Sequence, residues 1–181
     1  MRTLLIILCL FCWSEIYAGN KTECRKGKSI VKKEVQGQKR LWAKSFLNKP
    51  APQFVAETWI GKKPKLKGKF ILIDFWATWC GPCKKLIPEL NGFAEKFKKD
   101  LVVIGLTDEP IEKVKALKEP RINYYIATDT RKRMKGELEL KSIPHVLIID
   151  PKGIVRWESL PPLVNEGLTE EVIRKLIEKC K

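Results

Sequence analysis

The chain has one histidine, His145, and no glycine-rich stretch of the kind that cradles a nucleotide or a flavin. A zinc or copper site normally takes three or four ligands, and neither a second Cys-x-x-Cys nor a histidine pair is available to supply them. No cofactor and no resident metal are therefore expected. No internal repeat is visible, which excludes a solenoid. Acidic residues are scarce: 21 Asp and Glu stand against 36 Lys and Arg, a formal charge of +15. The lysines are spread through linker, helices and loops instead of forming one tract with interleaved aromatics, so no nucleic-acid partner is expected. The basic surface is read as solvated, making at most weak electrostatic contact with acidic partners or a membrane surface.

With 181 residues and 44% hydrophobic content, the sequence suffices for one domain plus extensions. Residues 1–18 have a basic residue (Arg2), an apolar stretch from Leu4 to Trp13, a polar break and Ala18-Gly19. That is the layout of a secretory signal peptide, too short to span a bilayer comfortably. Cys9 and Cys12 raise a lipoprotein reading, but Ile7-Leu8 and Leu10-Phe11 before them are bulkier than lipoprotein signals carry. Export is expected, to the periplasm or another extracytoplasmic space. Residues 19–47 read as a basic, flexible arm with a helical turn around Leu41 to Leu47, and residues 48–181 as the folded domain. Four cysteines follow the leader, and in an oxidising compartment disulfides persist. Cys24 and Cys180 either bridge, tying the arm to the last helix, or stay solitary thiols.

The domain is organised around Asp74-Phe75-Trp76-Ala77-Thr78-Trp79-Cys80-Gly81-Pro82-Cys83. A β-prone run from Phe70 to Trp76 breaks at Gly81-Pro82, and an amphipathic pattern then opens with Leu86, Ile87, Leu90 and Phe93. This predicts strand, tight turn and helix, with Cys80 at the exposed helix N-terminus. Unpaired N–H groups there favour a thiolate, and Cys83, one turn inside, is the shielded resolving thiol. Asp74, in a run apolar on both sides, should lie desolvated beneath the pair, titrate high and accept the proton of Cys83. Further on, Phe54 to Ile60, Leu101 to Leu106, Asn123 to Thr128, Val146 to Ile149 and Ile154 to Trp157 read as strands. Helices are expected after Pro110, from Asp129 or Thr130 to about Leu138, and from Thr169 through Cys180. Strands alternating with helices and closing on a hairpin and a helix describe an α/β sandwich.

Asp-Phe-Trp-Ala-x-Trp-Cys-Gly-Pro-Cys-Lys, at Asp74 to Lys84, resembles the thioredoxin signature. The region from about Pro50 to Trp157, opening on Pro50-Ala51-Pro52-Gln53-Phe54, resembles the TlpA/ResA-like branch of extracytoplasmic thiol-disulfide oxidoreductases. The resemblance implies a thioredoxin-like three-layer sandwich, a central mixed sheet flanked by helices. It implies protein-disulfide reduction through a redox-active Cys80–Cys83 disulfide. It also implies a cis Ile143-Pro144 peptide that turns the Ile143 backbone toward an extended substrate, with Trp79, Gly81 and Pro82 on the same surface. Partners would be disulfide-containing clients and an upstream membrane or soluble thiol reductant, the chain itself acting as a monomer. Gly81-Pro82 resembles the reducing members. His145 reads as a substrate-groove residue or a half-exposed strand residue. Two other classes stay open: a disulfide oxidase or isomerase on the same fold, and a non-catalytic copper-binding or other binding module. Peroxide chemistry is disfavoured because Ala77, not Thr, stands three residues before Cys80.

Overall fold

The computed structural model describes residues 42–158 and 167–181. Its centre is the apolar run of the sequence: β2 (Phe70–Phe75) lies between β3 (Leu101–Thr107) and β5 (His145–Ile149), buried on both faces. This explains why β2 and β3 read as continuous hydrophobic stretches without alternation. β4 (Tyr125–Thr128), β1 (Thr58–Ile60) and β6 (Val155–Glu158) complete a six-stranded sheet in the order β1-β4-β3-β2-β5-β6. β2, β3 and β4 run parallel, whereas β1, β5 and β6 pair antiparallel with their neighbours. The sheet is mixed, as expected.

One face is covered by α1 (Gly81–Lys96) and α4 (Glu170–Cys180), whose Ile87, Leu90, Phe93, Ile173 and Leu176 pack on Phe70, Leu72, Val103 and Ile148. Each such side chain, fully buried, contributes about 1.5–3 kcal/mol. On the other face lie α3 (Arg133–Glu137) and the chain leading into the sheet, which cover Ile73, Phe75, Ile104 and Leu147. A third cluster, Trp76, Ala77, Cys80, Cys83, Val114 and Ile126, closes the end of the sheet with α2 (Ile111–Ala116).

Local chemistry accounts for most boundaries. Thr169 caps α4 by accepting from Val172 N at 3.3 Å. The β5–β6 hairpin turns at Gly153 (φ 82°), and the buried Asp150 carboxylate accepts from Lys152 N, Ile154 N and Arg156 Nε at 2.8–3.0 Å. Pro88 falls inside α1 on its exposed side, so the Lys84 carbonyl it leaves without an intrahelical donor can turn to water.

Three expectations are corrected. Trp42 to Leu47 holds no helical turn and is not a loose arm end: Lys44 N donates to Leu138 O, Lys141 N to Trp42 O, and Ser45 and Phe46 both bond Glu158. β1 is three residues long instead of seven, because the ladder with β4 runs only over Thr58 to Ile60, with Glu57 N adding one bond to Thr128 O before it. α3 begins at Arg133, since the Asp129 carboxylate accepts from Met134 N and Arg133 Nε while Lys132 turns left-handed (φ 57°). The leader and most of the arm, with Cys24, lie outside the described residues. Cys180 is buried and disulfide-bonded. Among the described residues no helix is long and apolar enough to cross a membrane.

Candidate active site

β2 ends at Phe75, and the next five residues carry the chain past the end of the strands to Cys80, the N-cap of α1. Cys80 and Cys83 form a disulfide, with Cα atoms 5.3 Å apart, and Cys83 N donates to Cys80 Sγ at 3.2 Å. A helix N-terminus has such donors to spare, and here one is aimed at sulfur. Pro82 in the first turn removes an N–H that would have no partner. Cys83 is fully buried, as expected of the inner thiol. Cys80 departs from expectation: in the disulfide it is 3% exposed, while Trp79 beside it is 73% exposed. The surface of the site is thus made by Trp79, Gly81 and Pro82, with the sulfurs beneath.

Asp74 lies on β2 paired to Gly105 on one side and Val146 on the other, completely buried on the face that α1 covers. Burial pushes its carboxyl up to about 7, against a weak opposing hydrogen bond from Tyr124 Oη to Oδ2 at 3.4 Å. Oδ1 has no hydrogen-bond partner. The same burial, with Asp74 alongside, raises the Tyr124 phenol. Ile143-Pro144 is cis. His145 is 1% exposed and set against Phe75, ring centroids 6.0 Å apart, on the face opposite Asp74. It is a core residue, neither half-exposed nor in a groove.

Residues 47–158 match the AhpC/TSA family. This chain belongs to that family. Among its relatives, thiol-disulfide oxidoreductase ResA of Bacillus subtilis is 31% identical over 137 residues, covering 72% of this chain and 74% of the relative. Thioredoxin-like protein YneN of the same species is 31% identical over 114 residues, 59% and 66% of the two chains. A solution structure of a candidate protein disulfide isomerase from Bacteroides thetaiotaomicron superposes with a TM-score of 0.64 at 27% identity, over 77% of this chain and 93% of that one.

Two residues of this AhpC/TSA chain were not singled out from its sequence. Glu109, 7% exposed, accepts from Thr78 N at 2.5 Å and Thr78 Oγ1 at 2.8 Å, clamping the loop that delivers Trp79 and Cys80. The available signal was Asp108-Glu109-Pro110 at the carboxyl end of a buried parallel strand, where α/β sheets carry their sites. Glu109→Ala leaves the Thr78 amide unsatisfied, a cost of about 1–3 kcal/mol. The loosened loop should slow disulfide exchange about tenfold. Insulin reduction and urea unfolding check this, and an unchanged rate would show that the clamp does not position Cys80.

Gly105 is the second. A Cβ there would stand 2.8 Å from Trp76 Nε1 and 3.1 Å from Tyr124 Cε2, so only glycine lets the buried indole and phenol ring close over this point of β3, beside Asp74 on β2. Gly105→Ala is expected to lower stability by about 1–3 kcal/mol. A denaturation midpoint equal to wild type would mean the indole moves aside at no cost. Beside the pair, Trp79, Glu109, Lys113, Lys141 and Ile143 line an open groove of about 970 Å³. It runs from the exposed indole to the residue preceding the cis proline.

Proposed function

We propose that this thiol–disulfide oxidoreductase acts outside the cytoplasm as a reductase of client-protein disulfides. The carrying observation is the Cys80–Cys83 disulfide at a helix start, with the outer sulfur receiving the Cys83 amide and the inner one sealed. In the reduced state the Cys80 thiolate attacks a client disulfide, forming a mixed disulfide and expelling one client thiolate. Asp74 takes the proton of Cys83, whose thiolate attacks Cys80 Sγ. The internal disulfide closes, the second client thiolate leaves, and two electrons have passed from the pair to the client. A reduced thiol protein then restores the dithiol, the sequence carrying no nucleotide or flavin motif. Trp79 and Ile143 flank the groove in which an extended client segment would lie while its sulfur meets Cys80.

The direction of transfer rests on Gly81-Pro82, which resembles reducing thioredoxins, and the compartment on the leader at residues 1–18. Equilibration against glutathione or dithiothreitol buffers measures the Cys80/Cys83 potential. A value below about −220 mV is expected, toward the thioredoxin end of the scale. One near about −120 mV would make the chain an oxidase. Cell fractionation with mass analysis of the mature N-terminus tests export, and a chain retained intact in the cytoplasm would remove it.

A further inference from the structure

We propose that the pole of the domain remote from the redox pair docks on an anionic lipid surface, so that Cys80 and Cys83 face away from the bilayer. Between Glu57 and Asp74 the sequence holds no acid and five lysines, at 62, 63, 65, 67 and 69. Read along the chain, these are a few among many scattered cations. The fold concentrates them. β2, β3 and β4 run parallel and β1 antiparallel to β4, so the loop from Gly61 to Lys69 and the turn before β3 share one end of the sheet. There Phe70 N donates to Asp100 O at 2.8 Å, Lys69 Nζ donates to Lys99 O, and Lys62 and Lys98 line one groove.

The two acids at this pole are already paired, Glu95 with Lys98 and Asp100 with Lys181, and leave the loop's own charge in excess. Lys62, Lys63, Lys65 and Lys67 are exposed and pair with no carboxylate among the described residues. Several cations elsewhere are paired, Lys132 and Lys135 with Asp108, Arg131 and Arg133 with Glu57, and Lys96 with Glu170, whereas Lys84, Lys85, Lys113 and Lys141 at the redox end also have no carboxylate partner among the described residues but are not gathered in one acid-free loop. The loop is also held in shape, by left-handed Gly61 (φ 78°) and Gly68 (φ 75°) and by buried Pro64.

The chemistry selects the occupant. Within the loop there is no arginine and no aromatic ring on which bases could stack, as single-stranded nucleic acid requires. Within the loop itself no large apolar side chain is exposed, and among the described residues Tyr125 beside it is the one exposed ring at this pole, a single contact instead of the packed cluster a protein hot spot needs. Ammonium groups on flexible stems suit a mobile array of phosphates. Tyr125, 40% exposed and lining the same groove as Lys62 and Lys98, is the kind of amphipathic ring that sits at headgroup level. Cys80 follows the opposite end of β2, a strand on the order of 20 Å long. Exposed charges are screened within about 8 Å, so the docked pole leaves the thiolate's own field untouched.

The test is binding of the full-length chain to vesicles of phosphatidylglycerol and phosphatidylcholine, against pure phosphatidylcholine. Preference for the anionic vesicles is expected at low salt, collapsing at high salt. Each basic residue near such a surface is worth about fivefold. The Lys62, Lys63, Lys65, Lys67→Gln variant should therefore bind at least about tenfold more weakly, while reducing insulin in solution like wild type. A variant with the same charge change at the redox end, Lys84, Lys85, Lys113, Lys141→Gln, should keep most of its binding. Cys80 of the reduced, vesicle-bound chain should be alkylated as fast as in the free chain. The proposal is overturned if the loop variant binds like wild type, if both variants weaken equally, if bound Cys80 becomes protected, or if the loop sustains binding to RNA but not to vesicles.

Discussion

Cys80→Ser is expected to lower disulfide reduction by a factor on the order of 10³ or more, the scale seen when a nucleophile is removed. Cys83→Ala should lose turnover equally and yet accumulate a covalent client adduct. The difference follows from where the two sulfurs sit. Cys80 caps α1 and receives an N–H, so it is the sulfur that the helix start favours as an anion; a serine hydroxyl there stays protonated and inert. Cys83 lies one turn inside, without exposed surface, and can only attack Cys80 from behind. Remove it, and the first exchange proceeds while the second has no attacking sulfur. Non-reducing mass analysis after mixing with oxidised insulin reads both variants. The assignment fails if Cys83→Ala gives no adduct, or if Cys80→Ser forms one.

Asp74→Asn should make the protein more stable and less active at once. In the folded chain burial holds the carboxyl protonated up to about pH 7, whereas its ordinary value is 3.8. Below pH 3.8 both states carry the proton and stability is at its fullest. As pH rises toward about 7 the unfolded chain ionises freely and the folded chain resists, so stability falls through that window and levels off above it. The span corresponds to about 4 kcal/mol. Asparagine abolishes the slope, so at pH 8 the variant should be more stable by on the order of 2–4 kcal/mol. Without a proton acceptor for Cys83, resolution of the mixed disulfide should slow by about 10²-fold at neutral pH. Urea unfolding from pH 4 to 8 and single-turnover kinetics measure the two effects. Parallel stability curves for wild type and variant would show that Asp74 does not titrate as its burial requires.

Much of this is legible in the sequence alone. The run from Phe70 to Phe75, the break at Gly81-Pro82 and the helical spacing beyond them fix strand, turn and helix because each is a local signal. Asp74 was legible for the same reason, a lone acid in a run buried on both faces. What the sequence hid is tertiary. Glu109 meets Thr78 across 31 residues, a pairing no periodicity encodes. Gly105 reads as an ordinary weak spot in a strand until Trp76 and Tyr124 are seen closing over it. His145, the one histidine of the sequence, reads as a groove or half-exposed residue, but its pairing opposite Phe75 turns it to the other face. The span from Trp42 to Leu47 looked loose because its partners, Leu138 and Glu158, lie about a hundred residues away.

That docked segment bears on how the molecule meets other chains. Asn48 N donates to Val155 O, Val155 N to Lys49 O and Ala51 N to Gly153 O, so the lead-in occupies the outer rim of β6. At the opposite rim β1 offers three residues. Both flanks of the sheet are thereby poor templates for a foreign strand. An oxidoreductase of disulfide-containing substrates gains from this, because extended guests are denied the sheet's sides as places to pair.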